Sequence, residues 1–224
     1  VMQAYYRYGV PRTLGIPYGF EGLIPDYGHK LVNLTPGYVS NIHRFGGTLL
    51  GTSRGPQDTK RMVDQLIEWK VNILFVVGGD GTQRGGRAIG EEASRRGHKL
   101  AVVGVPKTID NDMAYMDKSF GYETACAAAV DAIAAAHTEA RSARNGIGLV
   151  KLMGRHSGFI ACSAAISSGD ANCVLIPEVR FALEGEHGFL EQLRQRIIQR
   201  GHALVIVAEG AGQDLVEASG TDAS

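Results

Sequence analysis

Apolar positions along the chain follow two different spacings. Short β-branched runs predict strands at Ile73–Val77, Leu100–Val105, Ile147–Leu152, Val174–Ile176 and Leu204–Ala208. The run "VNILFVV" reads as a strand buried on both sides. Between these runs the spacing lengthens to that of a helix. Thr82–Arg96 is polar on one face, and the alanine-rich stretch from Phe120 to Arg144 favours helix and permits close packing. "FLEQLRQRIIQR" predicts a helix stopped by Gly201. "QDTKRMVDQLIEWK" places Met62, Val63, Leu66 and Ile67 on one face and leads into the Ile73 strand. Strand and helix in this alternation call for an α/β fold, with parallel sheets flanked by helices on both faces. The first seventy residues, rich in Gly, Pro and Tyr, allow only a coarse reading.

Composition changes that picture little. The 224 residues are 44% hydrophobic, enough for one large domain or two smaller ones with real cores. Basic and acidic residues number 23 each, so no long-range field draws the chain to nucleic acid or an anionic membrane. No apolar run approaches the roughly 18 residues that span a bilayer. Cys126, Cys162 and Cys173 lie far apart in apolar segments and match no metal-ligand spacing, which points to reduced, buried thiols. The opening "VMQAYYRYGV" and the polar tail "EASGTDAS" both look cut from something longer.

In parallel sheets ligands sit at the carboxyl ends of strands, and four predicted strand ends carry unusual chemistry. After Val77 comes Gly78-Gly79-Asp80-Gly81-Thr82. Glycines there let backbone N–H groups close on phosphate oxygens, although a tight turn alone needs one or two of them. A carboxylate facing phosphate requires a cation between them, so Asp80 reads as a Mg²⁺ ligand. After Val105 comes "PKTIDND", where Asp110 and Asp112 share a side in extended chain. Two such carboxylates about 4 Å apart repel by about 4 kcal/mol at an effective dielectric near 20. An Asx-rich surface turn would also account for them, but neighbouring Lys107 and Thr108 suit phosphate.

After Leu152 comes "MGRHSG", in which Gly154 admits a ligand to the backbone and Arg155 can grip a phosphoryl group with its planar fork. His156 has no partner visible in sequence and reads as structural. After Ala208, Glu209 can accept hydrogen bonds from sugar hydroxyls or simply face solvent. Arg54, beside Gly55 in "GTSRGPQD", is either a nucleotide-phosphate contact or a loop arginine.

The motifs GGDGT, PKTIDND, GYETA, KLMGRHSGFIA, IPE and VAEGAGQ, in this order from about Arg44 to Leu215, resemble 6-phosphofructokinases. The ATP-dependent subgroup of plants and trypanosomatids is the best match. NAD kinases and diacylglycerol kinases share only the first motif, so the ordered set is far more specific than any one member. The resemblance implies two Rossmann-like lobes: residues 1–121 on the ATP and magnesium side, lacking their N-terminal glycine-rich loop, and residues 122–224 on the sugar-phosphate side, incomplete at the C-terminus. It implies Mg²⁺-dependent transfer of the γ-phosphoryl of ATP to the 1-hydroxyl of fructose 6-phosphate, in a cytoplasmic enzyme that is a homo-oligomer when full length.

By the same resemblance Asp110 takes the sugar hydroxyl's proton and Arg155 assists catalysis. Asp80, with Asp112, holds the metal. Arg54, Gly55, Gly79, Asp80, Gly81, Thr82 and Lys107 lie on the nucleotide side. Thr108, Ile109, Asp110, Met153, Gly154, Arg155 and Glu209 match substrate positions. Pyrophosphate-using relatives carry Asp where this chain has Gly81, which favours ATP, whereas Lys107 is typical of pyrophosphate enzymes. A pyrophosphate donor, or a non-catalytic truncated or regulatory chain, is the competing reading. Gly146 stands where bacterial relatives supply an arginine across a subunit boundary.

Overall fold

A computed structural model describes residues 1–218; the end of the polar tail, residues 219–224, lies outside the described residues. The chain divides into two compact units. One comprises Val1–Val77 and Gly81–Val105; the other comprises Gly78–Asp80 and the chain from Pro106 onward.

The first unit opens with α1 (Met2–Tyr8), followed by the short antiparallel pair β1 (Leu14–Gly15) and β2 (Val32–Asn33). Its main helix, α2 (Thr59–Glu68), starts where the Asp58 carboxylate accepts hydrogen bonds from the N–H groups of Lys60 and Arg61. Met62, Val63 and Leu66 are buried as expected, but Ile67 is 38% exposed and Gln65 is buried instead. At about 100° per residue Ile67 lies on the flank of the stripe, and Gln65 satisfies its amide by donating to Glu68 at 2.9 Å.

Strand β3 (Ile73–Gly78) alternates strictly. Leu74 and Val76 join Met62, Val63, Leu66, Ile89 and Ala93 in the core, while Ile73, Phe75 and Val77 are more than half exposed. The expectation of a strand buried on both faces is therefore corrected: α2 and α3 (Asp80–Arg95) cover one face only. α3 also begins two residues before the expected Thr82, so Asp80 sits in its first turn. Strand β4 (Ala101–Thr108) runs three residues beyond the expected end. It pairs in parallel with β5 (Phe120–Gly121) through Lys107 with Phe120 and Thr108 with Gly121. This pairing holds Phe120 and Gly121 out of the helix that the alanine run predicted. The sheet order is β3-β4-β5.

The second unit contains α4 (Tyr122–Ser142), β6 (Gly146–Leu152), α5 (Phe159–Ser168), β7 (Cys173–Leu175), α6 (Phe189–Arg200), β8 (His202–Ala208) and α7 (Gln213–Ala218). Its sheet has the order β6-β8-β7, all parallel. Ile133 of α4 and Ile160, Ala161 and Ala164 of α5 pack on Leu204, Ile206 and Ala208 of β8. The alanine-rich helix does approach closely: a side chain at Gly146 would lie 2.2 Å from the Ala140 carbonyl oxygen. Among the described residues the three cysteines are free, and each is half-buried rather than fully buried. No described helix is long and apolar enough to cross a membrane.

Candidate active site

The strand ends of the second unit gather most of the nominated residues. The loop after β4 is held by Asn111, which takes a left-handed backbone (φ 54°). Its side-chain oxygen accepts from the Ser119 N–H at 2.8 Å, its amide donates to the Asp117 carbonyl at 3.1 Å, and the Ser119 hydroxyl donates to the Thr108 carbonyl at 2.7 Å. This turn corrects the extended-chain reading of the two aspartates. Asp110 is 8% exposed while Asp112 faces solvent, because the left-handed residue between them reverses the alternation. Ile109 packs its side chain against the core of the second unit, so what it offers a ligand is backbone.

Across from this loop, the loop after β6 carries Gly154 at φ 149° and Arg155 at φ 52°. A non-glycine residue in the left-handed region is uncommon and costs about 1 kcal/mol or more. Glu209, at the end of β8, offsets that cost. Its carboxylate accepts from the N–H of Arg155 at 2.7 Å and of Gly154 at 3.2 Å, and its own N–H donates to the Leu152 carbonyl at 2.8 Å. Next to it, Gly210 leaves no room for a side chain, since a Cβ there would lie 2.0 Å from the Arg155 carbonyl oxygen. So held, the largely exposed Arg155 side chain places Nε 3.8 Å from Oδ2 of Asp110.

Burial and the negative charge of Asp112 push the Asp110 carboxyl above its ordinary value, and Glu209 adds to the rise; Arg155 and Thr108 pull it back. The balance is upward, which makes this carboxylate a better proton acceptor than an exposed aspartate. Gly79 lies against the end of β4, where a Cβ would meet the Lys107 carbonyl oxygen at 3.8 Å and the Thr108 Cβ at 4.0 Å. Asp80 follows it directly. Lys107 and Met153 are exposed at this end of the sheets.

Gly81, Thr82, Arg54 and Gly55 belong to the first unit. Gly81 has open space around it, with nothing within 4 Å of a Cβ. Arg54 is exposed, four residues ahead of Asp58, and Gly55 has φ 102°. Sequence reasoning passed over Asn111, Ser119, Ser157 and Gly210. The fixed turn residues inside DND and the serine inside MGRHSG were the available signals. Glu178 was missed likewise: its carboxylate accepts from the Gly158 N–H at the start of α5, at 2.8 Å.

Parallel strands flanked by helices, with charged side chains collected beyond the strands' carboxyl ends, define an α/β protein of the Rossmann-like class. The chain belongs to the phosphofructokinase family, whose model, described as Phosphofructokinase, matches residues 1–222. It is 50% identical over 212 residues to the ATP-dependent 6-phosphofructokinase of Borreliella burgdorferi, covering 92% of this chain and 47% of that protein. ATP-dependent 6-phosphofructokinase 7 of Arabidopsis thaliana is 52% identical over 211 residues, covering 94% of this chain and 43% of that protein. The chain thus spans about half the length of the curated relatives it matches.

Two solved structures share the fold at low identity. Phosphofructokinase from Pichia pastoris in the T-state matches with TM-score 0.77 and 23% identity, over 96% of this chain and 26% of that one. Pyrophosphate-dependent phosphofructokinase from Marinobacter aquaeolei matches with TM-score 0.77 and 21% identity, over 97% of this chain and 57% of that one.

Proposed function

We propose that this chain is part of an ATP-dependent 6-phosphofructokinase, which transfers the γ-phosphoryl of ATP to the 1-hydroxyl of fructose 6-phosphate and yields fructose 1,6-bisphosphate and ADP. The observation that carries the reading is the buried Asp110 carboxylate, raised in pKa and facing the Arg155 guanidinium from a neighbouring strand end. Asp110 accepts the sugar hydroxyl's proton as the oxygen attacks. Arg155 neutralises charge on the transferring phosphoryl group, and such transfer asks chiefly for positioning and neutralisation. Thr108, Ile109, Met153 and Gly154 frame the sugar phosphate. Glu209 serves it through the carboxylate oxygen that does not hold the Gly154–Arg155 backbone.

The residues present fit Mg²⁺. This hard cation needs only one or two protein carboxylates, the rest of its shell being water and substrate phosphate. Among the described residues no group of three or more His, Cys, Asp or Glu side chains could hold a metal ion by itself. Asp80 and Asp112 are the residues that would hold it, and its charge would neutralise the ATP polyphosphate. Arg54, Gly55, Gly79, Gly81, Thr82 and Lys107 take the nucleotide phosphates, residues 1–121 serving the ATP side and 122–224 the sugar side. The full-length enzyme is a cytoplasmic homo-oligomer.

ATP is the donor, since the curated relatives at about half identity are named ATP-dependent and Gly81 leaves open space. An assay of the full-length enzyme with ATP and pyrophosphate in parallel, reading product formation dependent on fructose 6-phosphate, tests the reading. Turnover with ATP supports it; turnover with pyrophosphate alone, or with neither, refutes it.

A further inference from the structure

Ser157 lies in the turn between β6 and α5 and is 5% exposed. Its hydroxyl is within donating distance of two backbone carbonyls, Asp110 at 2.8 Å and Gly154 at 3.0 Å. One hydroxyl has one proton, so the two oxygens share it. Its N–H also donates to the Gly154 carbonyl, at 2.9 Å, which closes the turn around Arg155. Had this serine only completed its own turn, the Gly154 carbonyl would have been enough. The other acceptor lies 47 residues away in the chain, and it belongs to the residue that bears the buried carboxylate. A single buried side chain thus fastens the loop after β4 to the loop after β6, at Asp110 itself and one residue from Arg155.

We propose that Ser157 is a positioning residue for phosphoryl transfer: its hydroxyl fixes the Asp110 loop against the Gly154–Arg155 loop. The assignment rests on the phosphofructokinase reading above. It goes beyond that reading by naming a side chain that contacts neither substrate nor metal. Losing the shared hydrogen bond frees two loops that must agree to within about 1 Å, and a misplacement of that size can cost about a hundredfold in rate.

The test uses the full-length enzyme with Ser157→Ala and Ser157→Cys, the latter close in volume but a weaker donor. In Ser157→Ala, kcat falls about tenfold or more, while KM for ATP stays within about twofold because no nucleotide contact is touched. Ser157→Cys falls between Ala and the wild type in kcat, again with KM for ATP held.

A serine that merely stabilises the fold would lower the unfolding temperature and leave kcat of the folded enzyme in place. That result in either folded variant overturns the proposal, as does loss of folding in both variants or a rise in KM for ATP as large as the fall in kcat. A wild-type enzyme without turnover would instead refute the functional reading itself.

Discussion

Replacing Gly210 by alanine drives a methyl group into the loop that carries Arg155. An ideal Cβ at this position lies 2.0 Å from the Arg155 carbonyl oxygen and 3.1 Å from its carbonyl carbon. Close carbon–oxygen contacts settle near about 3.3 Å, so one partner must retreat by roughly 1.3 Å. Gly210 does not have a positive φ, so the backbone accepts alanine and the effect is one of bulk alone. Retreat of the loop also strains the hydrogen bonds from Gly154 and Arg155 to Glu209 and draws the guanidinium from its 3.8 Å approach to Asp110. A shift on this scale lowers kcat/KM for fructose 6-phosphate about a hundredfold, equivalent to about 2.7 kcal/mol of transition-state stabilisation. Overpacking also costs about 1–3 kcal/mol of stability. A coupled assay of ADP release in the full-length enzyme, run well below the unfolding temperature and with thermal unfolding in parallel, separates the two losses. If Gly210→Ala keeps kcat/KM within about threefold of the wild type, the strand-end clamp does not position Arg155 and the argument fails.

Asp110→Asn removes the carboxylate proposed above as proton acceptor and is expected to abolish turnover, yet it stabilises the fold at neutral pH. The Asp110 pKa is raised on folding, so the native state holds its proton more tightly and this group's contribution to stability declines as pH climbs through the carboxylate range. The neutral amide escapes that penalty, and the gain in unfolding temperature disappears in acid; an unaltered or lower unfolding temperature at pH 7 would contradict it. Gly81→Asp leaves the fold intact, since nothing lies within 4 Å of a Cβ there, but raises KM for ATP, and unchanged ATP kinetics would reject the steric account of donor choice. Asp58→Ala strips the cap of α2, lowering stability by about 1 kcal/mol in denaturant titrations with kcat unaffected; a fall in kcat would link α2 to the site.

Chain pattern alone was enough to place the principal strands and to locate chemistry at their ends. Periodicity is a local property, and the apolar runs around Leu74, Val150 and Ile206 were long enough to declare themselves. The extra reach of β4 was illegible, because Lys107 and Thr108 pair with Phe120 and Gly121, a dozen residues on. So was the exposed face of β3: apolar composition states what a residue prefers, whereas burial depends on which elements arrive to cover it. The candidate site shows the same division. Asp80, Arg155 and Glu209 announce themselves as charges beside glycines at strand ends, and Asp110 as one of two aspartates in PKTIDND.

Their working geometry is a matter of distant partners. Asp110 is buried and Asp112 exposed because Asn111 takes a left-handed turn stabilised by Ser119. Arg155 keeps its strained backbone because Glu209, 54 residues away, accepts its N–H. Residue type and spacing therefore determined which groups were on offer. Tertiary hydrogen bonds, made across tens of residues, decided which of them face one another and which charge is lifted out of water.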